Sequence, residues 1–331
     1  MIDVHSHYFP SSMLKEIAGH ESGLGVSYTP DEGILTFPGG PRRPIPASLT
    51  DLAGRRELNR SLGISRQVLS PWLDVAGDDL KGSQAIAWAR LYNDSLAQEV
   101  DGDPNFPLFA TIPVGHSNGS AEELRRAVAD LGFAGGTLPT HVTGTNLDEA
   151  GLDPLFEAAQ DLGVPLFLHP YRVMAEDRMS KDFLTNICGN PFEVTLAAVT
   201  LFFAGVPERY PRLDILLAHC GGTLPLIAGR VARGSQKASG VRKKLEAPDD
   251  ILGCYYYDTL MHDPDALAFS IRRIGADRCA AGSDIPFPMS VDDPAAHIRE
   301  ALETAGLSES FERVTRGTAT EILKLGPSLE Q

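Results

Sequence analysis

His5 and His7 stand two residues apart at the end of a short run, Ile2-Asp3-Val4. In an extended strand alternate side chains share a face, so both imidazoles point the same way. Neutral imidazole is a ligand for zinc and its first-row neighbours, and two on one face begin a divalent-metal site. The spacing alone fits equally well a polar strand end that holds nothing. Three more residues bear on the choice, because His169, His219 and Asp284 each close an apolar run that reads as a strand. Four of the nine histidines and one acid would then meet at one mouth, which is hard to explain as a set of hydrogen-bonded core residues. The other histidines, His20, His116, His141, His262 and His297, fall in loops or near helix ends.

The elements that must carry these residues follow a regular rhythm. Strands are expected at Ile2–Val4, Gln67–Ser70, Pro107–Ile112, Phe133–Thr137, Pro165–His169, Asp214–His219, Cys254–Asp258 and Arg278–Asp284. Between them lie helical stretches, among them Asp51–Leu62, Asp79–Val100 and Lys181–Phe203, the last with a break expected at Gly189-Asn190-Pro191. Most strands are continuous apolar runs, as required of parallel strands covered on both faces. Eight strands alternating with helices predict an α/β fold, a (β/α)8 TIM-type barrel spanning residues 1–331 as one domain, with active-site residues at the C-terminal strand ends. A doubly wound open sheet is the alternative, but no GxGxxG follows the first strand. Residues 8–50 break the rhythm. They are rich in Gly and Pro, and two alternating runs, 25–28 and 34–37, flank a turn at Thr29–Gly33, so this stretch reads as a small hairpin-bearing insertion over the barrel mouth.

Composition narrows the partners. A net charge of -15 argues against a nucleic-acid or anionic-membrane partner, either of which wants a basic face. No segment has transmembrane length, and no basic and apolar leader opens the chain. Four cysteines without CxxC spacing fit a reduced, cytoplasmic protein.

Taken together, HxH on the first strand, histidine on the fifth and sixth, and aspartate on the eighth resemble the amidohydrolase superfamily. More narrowly, the chain is similar to the aminocarboxymuconate-semialdehyde decarboxylase family. The likeness runs through Leu168-His169-Pro170, Ala218-His219-Cys220-Gly221-Gly222, Tyr257-Asp258-Thr259 with His262-Asp263-Pro264, and Gly282-Ser283-Asp284-Ile285-Pro286-Phe287-Pro288. The resemblance implies that His5, His7, His169 and Asp284 bind a metal, and that His219 is a base beside it. Binuclear relatives need a lysine or glutamate on the fourth strand, and Phe133–Thr137 offers neither, so one divalent ion per chain is expected. Zinc suits three imidazoles and a carboxylate, with manganese or iron as alternatives.

By the same resemblance Arg55 would bind a substrate carboxylate, Phe183 would pack against the substrate, and Arg230 would reach the site of a neighbouring subunit, making the protein at least a homodimer. Guanidinium is suited to carboxylates. The implied activity is non-oxidative decarboxylation of a small unsaturated or aromatic carboxylic acid, either through a water on the metal or through direct chelation of the substrate. Catalysis would fall to His219 and Asp284. A hydrolase or hydratase of a ring-cleavage-type carboxylate on the same scaffold is the alternative.

Overall fold

The computed structural model describes residues 1–19, 23–40, 42–78, 80–245, 247 and 249–326. His20 and Asp79 therefore lie outside the described residues. Eight short parallel strands line the barrel: β1 (Ile2–Asp3), β2 (Arg66–Gln67), β3 (Phe109–Thr111), β4 (Gly135–Pro139), β5 (Leu166–His169), β6 (Ile215–Leu217), β7 (Tyr256–Asp258) and β8 (Cys279–Ala280). β3 to β8 pair in chain order as one sheet, and β1 pairs with β2. Backbone hydrogen bonds outside these ladders close the ring on both sides. Val4 N–H donates to Ala281 O at 2.8 Å, and Phe109 N–H donates to Leu69 O at 3.0 Å.

The strands are apolar because both faces are covered: Leu166, Phe167 and Leu168 are all fully buried. The period of two then divides them. Phe167 points inward, its ring 4.9 Å from that of His5 and 6.0 Å from that of Phe109, so it floors the cavity beneath the histidines. The outer layer comprises α1 (Leu52–Ser61), α2 (Ser83–Val100), α3 (Ser117–Leu131), α4 (Asp153–Leu162), α5 (Asn190–Phe203), α6 (Leu224–Lys237), α7 (Pro264–Ile274) and α8 (Pro294–Ala305). Several begin on a capping aspartate whose carboxylate takes a first-turn N–H: Asp51 from Gly54, Asp263 from Ala266 and Asp293 from Ala296. No described helix is long and apolar enough to cross a membrane.

Three local expectations are corrected. The stretch after β1 is not only a hairpin: Ser11–Gly19 is helical, and a third strand, Arg42–Pro44, joins Ser27–Thr29 and Ile34–Thr36 in an antiparallel sheet. Its Phe37 packs edge-on against Trp88 of α2, 5.2 Å between ring centres, which anchors the insertion to the barrel. The break expected at Gly189-Asn190-Pro191 is absent. A π-helical turn, Thr185–Gly189, runs directly into α5, so Pro191 is carried inside a continuous helix just after the wider turn. Lastly, β6 and β8 stop short of His219 and Asp284. Both residues leave the ladder with positive φ, 54° and 62°, and turn their side chains into the mouth.

A buried polar network ties β1, β2 and β8 together below the histidines. Asp3 accepts from Ser283 Oγ at 2.6 Å, Gln67 Nε2 at 2.7 Å and the His5 N–H at 3.0 Å. Arg55 completes it from α1, donating to Gln67 Oε1 and to the His7 carbonyl, each at 3.0 Å. Burial lowers the Arg55 pKa to about 10, against the favourable field of Asp3. Breaking one member leaves desolvated partners without bonds, so Arg55→Met is expected to cost about 3–5 kcal/mol in chemical denaturation. A change within about 0.5 kcal/mol, the size of an ordinary surface substitution, would remove this structural role.

Candidate metal centre and cleft

His5, His7, His169 and Asp284 each bring one ligand atom to a common point, all four atoms within 4.8 Å of one another and all four residues buried. His5 Nε2 and His7 Nε2 face each other at 3.3 Å, and Asp284 Oδ1 lies 3.4 and 3.2 Å from them. The far nitrogens are each engaged. His5 Nδ1 donates to Asp258 Oδ2 at 2.5 Å, His7 Nδ1 to Pro71 O at 3.1 Å, and His169 Nδ1 to Pro170 O at 2.9 Å. A carboxylate or carbonyl only accepts, so each Nδ1 carries the proton and each Nε2 lone pair is left facing inward. Three aligned lone pairs and a carboxylate fit a divalent metal, and the outer partners are of the kind that orient metal-bound histidines.

The electrostatics agree with that reading. Burial would raise the Asp284 pKa, but the close approach of His5 and His7 outweighs it and holds the carboxylate well below its usual range. Burial lowers His7, and burial together with the neighbouring histidines lowers His169 further. His5 goes the other way. Burial opposes its charge, but Asp258 and Asp284 outweigh it and raise the pKa to about 10. The proton those carboxylates favour is the one a metal would displace.

A cleft of about 340 Å³ opens over this centre, lined by His169, His219 and Asp284 at its base, with Trp72, Phe183 and Phe287 as aromatic walls. His219 sits within 5.4 Å of the His5 and His169 rings, centre to centre. Its Nδ1 is buried without a hydrogen-bond partner among the described residues. Burial first, and then the charge of His5, pull its pKa down to about 4, so it is a neutral base at pH 7. The turn that carries it has four consecutive positive φ angles, 54°, 52°, 72° and 64° over His219 to Gly222. Glycine is required at the last of these, where a Cβ would come within 1.9 Å of Pro191 O.

The substrate residues expected from the sequence scatter. Phe183 is on the cleft wall, half-exposed. Arg55 is not in the cleft. It is 3% exposed, and its guanidinium is bonded to Ser6, Gln67 and His7 behind the histidines, because α1 packs against the outside of β1 and β2. Arg230 is exposed on α6 and is not part of its own chain's cleft lining.

Sequence reasoning passed over three residues. Arg43, from the third strand of the insertion, lines the cleft; its Nη2 lies 3.0 Å from Asp74 Oδ1, and its Nε is buried without a hydrogen-bond partner among the described residues. The only signal for it in the sequence is an arginine within the insertion of residues 8–50. Asp258 lies inside a run that carries the family resemblance and Asp3 among the first apolar residues, and no spacing in the sequence marks either.

A family model described as amidohydrolase matches residues 2–325. The chain is 31% identical over 334 residues to the 2-amino-3-carboxymuconate-6-semialdehyde decarboxylase of Dictyostelium discoideum, covering 99% of this chain and 92% of that one. It is 29% identical over 301 residues to a gamma-resorcylate decarboxylase of Polaromonas sp., covering 84% and 89% of the two. Its fold matches the crystal structure of a dihydroxybenzoic acid decarboxylase from Polaromonas sp., which holds manganese and the inhibitor 2-nitroresorcinol. The TM-score is 0.77 at 25% identity, over 99% of this chain and 97% of that one. With the family pattern matched almost end to end, and its histidines and aspartate gathered at the mouth of the barrel, this chain belongs to the amidohydrolase family.

Proposed function

We propose that this protein is a non-oxidative decarboxylase of a small aromatic or unsaturated carboxylic acid, dependent on one divalent metal held by His5, His7, His169 and Asp284. The observation that carries the reading is the convergence of those four ligand atoms within 4.8 Å, beside His219, whose Nδ1 has no hydrogen-bond partner among the described residues. Decarboxylase relatives of similar length support the reaction class. Zinc and manganese both suit the donor set, and the manganese in the Polaromonas structure makes that ion the first to supply. When bound, such an ion supplies Lewis-acid charge for the negative charge that develops as the carbon–carbon bond breaks.

The side chains divide the remaining tasks. Trp72, Phe183 and Phe287 offer faces for a planar substrate. Arg43, held by Asp74, presents a buried Nε–H suited to an oxygen of the acid or of a ring substituent. Loss of carbon dioxide leaves an electron pair on the reacting carbon, which must be protonated; His219 and Asp284, both unprotonated at pH 7, lie at the base of the cleft to pass on a proton drawn from solvent water. Arg230 shares a face of α6 with Leu226, four residues away and 72% exposed, and this face is proposed to pack against a second copy in a homodimer or larger assembly. All four cysteines are free, which supports a reducing, cytoplasmic setting.

The deciding measurement is metal per chain by elemental mass spectrometry, combined with carbon dioxide release from a panel of aromatic and unsaturated acids. About one ion per chain and metal-dependent release are expected; two ions, or water incorporation without carbon dioxide, would favour a hydrolase or hydratase. His219→Asn should lower kcat by about 10²–10⁴-fold while metal content is unchanged. Near-normal turnover in that variant would leave Asp284 as the proton carrier. Arg43→Met should raise KM by roughly 10- to 100-fold, the loss of one charged hydrogen bond of about 1.5–3 kcal/mol, with a smaller effect on kcat. An unchanged KM would place the anion elsewhere in the cleft.

A further inference from the structure

Asp258 is fully buried at the end of β7 and does not line the cleft, yet each oxygen of its carboxylate is bonded to the machinery of the site. Oδ2 accepts from His5 Nδ1 at 2.5 Å and from the His219 N–H at 3.0 Å. Oδ1 accepts from the Cys220 N–H at 2.6 Å and from the Leu260 N–H at 3.0 Å. Two of the residues so held, His219 and Cys220, have positive φ without being glycine. A turn of that shape persists only where its surroundings determine it. The segment after β8 packs closely on both residues, since a Cβ on Gly282 would lie 2.9 Å from Asp258 Cβ and 3.0 Å from His5 Cβ.

We infer that Asp258 is a positioning residue that couples the two halves of the centre. One carboxylate fixes which nitrogen of His5 faces the metal and holds the turn that aims His219. The inference rests on the reading of His5 as a ligand and His219 as a proton carrier. Asp258 itself touches neither substrate nor reacting atoms. Its effect travels by two separate bonds, so its loss should combine a metal-affinity defect with a turnover defect, although Asp258 is neither ligand nor base.

Asp258→Asn tests this. The amide keeps the volume and one accepting oxygen for Cys220 and Leu260, but its nitrogen cannot accept from His5 Nδ1 or from the His219 N–H. His5 is then driven to carry its proton on the nitrogen that should face the metal. The expected result is a roughly 10- to 100-fold weaker affinity for manganese or zinc, measured by competition with a chelator. At saturating metal kcat should remain at least tenfold low, and the cobalt-substituted variant should show an altered visible spectrum. His219→Asn should reproduce only the kcat defect. A folded Asp258→Asn protein with native metal affinity and native cobalt spectrum would overturn the inference, whereas a native protein that bound no metal would overturn the underlying reading instead. If the variant does not fold, histidine-labelled native protein supplies the answer by nitrogen NMR of the metal-loaded form. A signal lost in His5→Gln should report a proton on Nδ1, and a proton on Nε2 would refute the coupling.

Discussion

Three imidazoles and a carboxylate can be buried with their donor atoms a few ångströms apart only if something fixes where every proton sits. Without such control the rings would pair with one another, or take up charge that burial penalises. Here the control is external to the donor set. Asp258, the Pro71 carbonyl and the Pro170 carbonyl each take the far nitrogen of one histidine, and so turn three ambiguous rings into three inward-facing lone pairs. The remainder of the site depends on that arrangement.

The barrel supplies it by letting its strands end early. Regular pairing ends at Leu217 on β6 and at Ala280 on β8, and the chain then turns into the left-handed region at His219 and Asp284. The turns cost backbone strain, which is offset by hydrogen bonds from positions fixed in the wall, chiefly Asp258 and the His5 carbonyl, to which Asp284 N–H donates at 2.8 Å. Below, Asp3, Ser283, Gln67 and Arg55 hold β1 between β2 and β8, where ladder pairing is sparse. Side-chain bonds there do what backbone bonds do elsewhere in the sheet. A rigid scaffold of this kind is what lets a small shift in one side chain be felt at the centre.

The insertion after β1 serves a different end. It is anchored by Phe37 on Trp88 and lends the cleft Arg43, a cation the barrel strands do not provide. In barrels of this type the strand ends carry chemistry and the added loops carry selectivity, because loop changes leave the packed wall intact. The pairing of Arg43 with Asp74 fits that division, since Asp74 belongs to the segment after β2.

The strand–helix alternation, the parallel barrel and the five residues at its mouth are legible in the amino-acid sequence. Those follow from local facts: apolar runs of strand length, a period of two that puts His5 and His7 on one face, and polar residues placed where such runs end. The sequence also carries the family likeness, whose four expected ligands the fold gathers at one point and whose expected Arg55 it buries away from the cleft. Only the tertiary structure decided that Arg55 points under the histidines and Arg43 over them, because the two arginines look alike in sequence and differ only in which side of β1 their elements pack. Only it placed Asp258 on both His5 and His219, residues 253 and 39 positions away along the chain. Contacts at that separation are set by strand order and closure, and no local pattern of residues encodes them.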